Sequence, residues 1–73
     1  MDVRGDFIYH KERYTGYSIG KVILDIRTDI VEVEVRYHQD HKGSYKRILH
    51  PFKVEDGDVN VDDLMDKIYK LHF

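Results

Sequence analysis

Five histidines, His10, His38, His41, His50 and His72, are the residues of this chain best suited to metal or proton chemistry. Only His38 and His41 lie close together, in H-Q-D-H. A zinc site needs three or four convergent ligands. With no cysteine in the chain, the pair would have to recruit His10, His72 or a carboxylate from elsewhere. The spacing therefore implies no metal and no cofactor, and His38 and His41 are expected to decorate a hairpin loop.

The acidic run at 55–63, E-D-G-D-V-N-V-D-D, resembles a calcium loop only in composition. Counted from Asp56 or Asp58, the sixth position is Val61 or Asp63, where the loop needs glycine, and the twelfth is Lys67 or Tyr69, where it needs a bidentate glutamate. Nucleophilic catalysis has equally little to work with. The two serines, Ser18 and Ser44, stand beside turn-type glycines outside any G-x-S-x-G context. Glu32 and Glu34 alternate along one exposed strand face, which offers no enclosed site for general acid work. The glycines of T-G-Y-S-I-G do not open a helix, so they form no phosphate cradle. A chain of 73 residues also has too thin a core for a preorganised pocket, and the expectation is that it is not an enzyme.

Two other patterns point to binding. His41 to Lys53, H-K-G-S-Y-K-R-I-L-H-P-F-K, carries Lys42, Lys46, Arg47 and Lys53 without an acid, interleaved with Tyr45 and Phe52. Cations that follow a phosphate backbone, together with rings that stack on bases, are what single-stranded nucleic-acid binding uses. On that reading Lys42, Tyr45, Lys46, Arg47 and Lys53 form the contact set. The second pattern is an excess of tyrosine: Tyr9, Tyr14, Tyr17, Tyr37, Tyr45 and Tyr69, more than so small a core is expected to bury. Tyrosine and arginine anchor protein interfaces, which nominates Tyr14, Tyr17, Arg36, Tyr45 and Arg47 as partner-binding residues.

These side chains need a scaffold, and the hydropathy pattern supplies one. In Ile30–Tyr37, Val31, Val33, Val35 and Tyr37 alternate with Glu32, Glu34 and Arg36, the signature of a half-buried strand. Upstream, Val22, Leu24 and Ile26 alternate in the same way. A two-residue turn at Thr28-Asp29 would pair Ile26 with Val31, Leu24 with Val33 and Val22 with Val35. That register also sets Asp25 opposite Glu32 and Lys21 opposite Arg36, with Lys21–Glu34 and Arg27–Glu32 diagonals in partial compensation. A turn at Asp40–Gly43 leads to a third strand in which Ile48, His50 and Phe52 face Val35, Val33 and Val31. His50 then points inward as a neutral, hydrogen-bonded core histidine. Pro51 marks an edge strand. Residues 6–14 are strand-like without clean alternation and are a candidate first strand, separated from the next by Thr15-Gly16 and Gly20.

Asn60 or Asp58 can cap a helix over Val61–His72, with Val61, Leu64, Met65, Ile68 and Leu71 on one stripe. Asp62 and Asp63 open it, and Lys70 and His72 close it, as the macrodipole favours. Asp63–Lys67 and Asp66–Lys70 are i,i+4 pairs in the better order. The whole chain, 1–73, reads as one α+β domain, a three- or four-stranded antiparallel meander with a C-terminal helix on one face. Val22, Leu24, Ile26, Val31, Val33, Val35, Ile48 and Phe52 lie under the helix. Lys21, Arg27, Glu32, Glu34, Arg36, Tyr45 and Arg47 face out.

The formal charge of −2 is unevenly placed: residues 1–53 carry ten Lys/Arg against eight Asp/Glu, and residues 54–73 two against six. No apolar stretch suits a membrane, and the lack of cysteine favours a reducing, cytoplasmic setting. The expected function is that of a non-enzymatic interaction module binding a protein partner through the open sheet face or an edge. A small inhibitor, adaptor or regulatory protein fits, of a size that mobile elements encode. Nucleic-acid binding through 41–53 is the alternative, and homodimer formation through the open face or an edge strand is a subsidiary expectation.

Overall fold

The computed structural model describes residues 1–40 and 44–73. Strands β1 (Asp2–Tyr9), β2 (Glu12–Asp25), β3 (Ile30–Gln39) and β4 (Ser44–Lys53) form one antiparallel sheet in the order β1-β2-β3-β4. Helix α1 (Val61–His72) packs Leu64 and Ile68 onto one face of it. No helix among the described residues is long and apolar enough to cross a membrane.

The β3–β4 pairing follows the alternation: Val35, Val33 and Val31 face Ile48, His50 and Phe52. β4 is an edge strand, with Pro51 opposite Glu32. The turn expected at Asp40–Gly43 falls on residues 41–43, which lie outside the described residues.

The β2–β3 register differs from the expected one by two residues at the turn. Leu24 faces Val31 and Val22 faces Val33, joined by a four-residue turn, Ile26–Asp29, in place of a two-residue one. The physical gain is visible in the charges, because Asp25 now faces Ile30 instead of Glu32. Its carboxylate is freed to accept the Arg27 backbone N–H at 3.0 Å inside the turn. Asp29 takes a left-handed φ of 54° there. Ile26, expected in the core, therefore sits on the turn and is 81% exposed. A β-bulge between Ile19 and Val22 then absorbs one extra residue, so Val35 meets Ile19 and Arg36 meets Ser18.

Residues 6–14 are not a single strand. They hold the end of β1, a turn at His10-Lys11 with φ of 50° and 66°, and the start of β2. Thr15, Gly16 and Gly20 lie within β2 instead of breaking it.

Asn60 is the N-cap of α1, its Oδ1 accepting the Asp63 N–H at 3.1 Å. Both i,i+4 pairs form, Lys67–Asp63 at 3.0 Å and Lys70–Asp66 at 2.9 Å. Twelve residues of helix span about 18 Å, whereas the molecule is 41 Å long. Val22, expected under the helix, is 39% exposed. Leu71, expected on the buried stripe, is exposed as well.

The largest departure concerns the tyrosines. Tyr14, Tyr17 and Tyr37 are fully buried and, with Phe7, build an aromatic half of the core beside the aliphatic half of Val31, Val33, Val35, Leu64 and Ile68. Phe7 and Tyr14 stack at 5.6 Å between ring centroids, and Tyr9 stacks on Tyr37 at 5.4 Å.

Candidate interaction surface

Residues of β3 and β4 that point away from α1 fall into cross-strand pairs. His38 faces Tyr45, Arg36 faces Arg47, Glu34 faces Leu49 and Glu32 faces Pro51. On β2, Ser18 lies beside Arg36 and Gly16 beside His38, and on β1, Asp2 and Arg4 lie beside Ser18 and Gly16. One end of the open face thus gathers Arg4, Arg36, His38, Tyr45 and Arg47. The other end carries the exposed apolar residues Ile23, Ile30 and Leu49.

Tyr45 is 51% exposed and is the centre of that basic end. The Arg36 guanidinium lies 5.7 Å from its ring centroid, and the His38 ring 6.1 Å from it. Arg36 is oriented by Glu34, whose Oε1 accepts its Nε–H at 3.0 Å. Glu34 was expected to be exposed, yet it is only 8% accessible because its carboxylate lies over Gly20. Any Cβ at Gly20 would collide with that carboxylate, so the glycine of the bulge is what makes room for the ion pair.

His38 is held in place from β2. Its Nε2 is 2.9 Å from Ser18 Oγ, and its carbonyl accepts the Thr15 hydroxyl at 3.2 Å. Beside it opens a cleft of about 210 Å³, bordered by Asp2, Arg4, Thr15, His38 and Asp40 over the backbone of Gly16. A side chain at Gly16 would come within 2.6 Å of the Val3 carbonyl, which keeps the cleft floor bare.

Of the residues nominated as partner-binding, Arg36, Tyr45 and Arg47 are brought together on this surface. Tyr14 and Tyr17 are not: both are core residues, 1% and 0% exposed, and that expectation is corrected. Burial raises the phenol pKa of both, and for Tyr14 burial and the Glu12 carboxylate it bonds at 2.7 Å push the value to about 12. The nominated nucleic-acid set is divided. Tyr45, Arg47 and Lys53 share the open face, whereas Lys46 pairs with Tyr37 on the helix-covered side. Lys42 lies outside the described residues. Arg4, Ser18 and His38 were not nominated, because their placement depends on the two β-bulges of β1 and β2. The small residues at 16, 18 and 20 were the one sequence signal for a trough there.

His41 lies outside the described residues, and His10 and His38 are not brought together. His10 packs its ring on Tyr9 at 4.2 Å, and His38 is on the open face. Among the described residues no group of three or more histidine, aspartate or glutamate side chains is arranged to hold a metal ion. His50 points inward as expected, and its Nε2 is 2.8 Å from the Tyr37 hydroxyl. His72 Nε2 is 2.7 Å from the same hydroxyl, and its Nδ1–H donates to the Ile68 carbonyl at 2.8 Å. Burial holds both imidazoles below the usual histidine pKa, for His50 with further help from positive charge at His72 and His10.

No protein family matches this chain, and no curated protein or solved structure matches it either.

Proposed function

We propose that this chain is a non-enzymatic protein-interaction module, a small inhibitor, adaptor or regulatory protein, that docks an acidic partner surface on its open sheet face. The observation that carries this reading is Tyr45, half-exposed on an open strand between Arg36 and Arg47. A large ring ordered by a neighbouring cation, with arginines around it, is the composition of an interface anchor. Arg4 and Arg47 form no ion pair among the described residues, which leaves two guanidinium groups for carboxylates of a partner. The exposed Ile23 and Leu49 continue the patch with apolar area.

The test is affinity capture with the full chain as bait, comparing wild type with Tyr45→Ala and Arg47→Glu, and with Lys67→Glu on the helix as control. A partner retained by wild type and the control but lost by both open-face variants supports the reading. Equal retention by all four chains contradicts it.

Binding of single-stranded nucleic acid is the second reading, favoured by the same ring flanked by two arginines, a geometry on which a base could stack. It predicts binding of labelled single-stranded DNA or RNA that weakens steeply between about 50 and 200 mM salt. Absence of binding at the lower salt would remove it. A homodimer through β4, whose outer edge is unpaired within the chain, would double the mass in solution and is checked by light scattering.

A further inference from the structure

The Tyr37 hydroxyl is shared by two buried imidazoles, and the donors can be assigned one by one. The Ile68 carbonyl only accepts, so His72 Nδ1 carries a proton. Neutral His72 therefore has a bare Nε2, which accepts the Tyr37 O–H at 2.7 Å. Tyr37 has then spent its proton, so His50 Nε2–H must donate to the phenol oxygen at 2.8 Å. The result is a one-way chain from His50 through Tyr37 and His72 to the backbone of α1. It ties β4 and β3 to the last turn of the helix, where His72 and Phe73 press on the Phe7 ring at 4.8 and 5.3 Å.

This chain tolerates one added proton. With a proton on Nδ1 of His50 the three bonds persist, and a shift of protons along them delivers the charge to His72. A second proton has no place. Both Nε2 atoms would then be donors aimed at one phenol oxygen, the Tyr37 proton would lose its acceptor, and two cationic rings would stand 6.2 Å apart.

We propose that Tyr37, His50 and His72 form a two-proton latch that holds the C-terminal turn of α1 on the sheet at neutral pH and releases it on acidification. The groups around it favour release. The β1–β2 turn contributes His10, a third imidazole whose charge opposes that of His50, and β4 contributes Lys46, opposite Tyr37 on the same face. β1, β2 and α1 contribute the phenols of Tyr9, Tyr14, Tyr17 and Tyr69, and burial raises the pKa of Tyr14 and Tyr17. Glu12, on β2, already accepts the Tyr14 hydroxyl. Opening lets both histidines take up protons freely and uncovers Phe7, Tyr9 and Tyr17. The device is independent of the open-face reading, because it lies on the opposite side of the sheet.

The experiment is an NMR titration of the full chain from pH 8 to 4.5, following the His50 and His72 ring carbons together with the Phe7 and Phe73 ring signals. A latch that opens predicts that the two imidazoles titrate together with a slope greater than one, in step with the aromatic shifts. If the turn stays docked, repulsion spreads the two titrations apart to a slope below one, the aromatic signals hold still, and the proposal falls. The paired variant His50→Gln with His72→Asn keeps polar groups at both positions and removes the titration. Its aromatic signals should be flat over the same range, and a pH response like that of wild type would overturn the proposal. Should that variant not fold, the slope measured on wild type decides alone.

Discussion

Tyr37→Phe removes one oxygen atom and should be among the most destabilising conservative substitutions in this protein. The ring stays, so its stacking on Tyr9 at 5.4 Å and its packing at 5.1 Å from Tyr14 survive and no cavity of consequence opens. Two polar atoms lose their only described partner at that position: the donor on His50 and the acceptor on His72. A buried group left without its hydrogen bond costs about 1–3 kcal/mol. Two such groups, with some relief where His72 reaches solvent, give an expected loss of about 3 kcal/mol. A domain of 73 residues has a total stability of roughly 4–11 kcal/mol. The substitution therefore consumes a large part of it. Urea denaturation at pH 8, followed by circular dichroism, reads this directly. With a slope near 1 kcal/mol per molar the midpoint should fall by about 3 M at unchanged slope. A midpoint within about 0.5 M of wild type would refute the assignment of that hydroxyl as the shared partner of both imidazoles.

Tyr17→Phe should behave in the opposite way, because the Tyr17 hydroxyl is buried with no hydrogen-bond partner among the described residues. Removing it should leave stability unchanged or raise it by about 1 kcal/mol, and a clear loss in the same urea assay would show that the hydroxyl is satisfied. Gly20→Ala should cost about 1–3 kcal/mol by driving the Glu34 carboxylate off Arg36. Glu34→Ala in the same chain should recover much of that loss, and a double-mutant cycle with no coupling would contradict the contact. Stability should also depend on pH with a defined sign. His50 and His72 have folded pKa values below 6.5, so the unfolded chain binds more protons as the medium is acidified. Their contribution is complete above about pH 6.5 and is lost as pH falls through the folded values. Urea midpoints at pH 8, 7, 6 and 5 should therefore decline, and a flat series would be inconsistent with neutral buried imidazoles.

The β3–β4 hairpin and α1 were legible because each has a single strong periodicity. Val31, Val33 and Val35 alternate without interruption, and the Asn60 cap and the Leu64–Ile68 stripe sit at helical spacing. From that register alone, Arg36, Tyr45 and Arg47 could be placed on one face, as the structure has them. The register of β2 was not legible, because the four-residue turn Ile26–Asp29 shifts it by two residues and a bulge between Ile19 and Val22 leaves no mark in the alternation of either flank. Charge would have been the better guide, since the two-residue turn set Asp25 against Glu32. Tyr14 and Tyr17 were misplaced for a different reason. Aliphatic alternation marks only the layer between sheet and helix, whereas β1 folds Phe7 over a second, aromatic layer that the His72 ring closes. Of the three buried phenols, Tyr37 is partnered by His50 and His72, both distant in sequence, Tyr14 by nearby Glu12, and Tyr17 by no described residue.

The proposed docking surface is the open face of the sheet, and not the helix. A photoreactive benzoylphenylalanine placed at Tyr45 or Leu49 on the open face, and in a separate chain at Lys67 on α1, tests it position by position. A cross-linked partner is expected from positions 45 and 49 and none from 67. Cross-linking from 67 alone would contradict it.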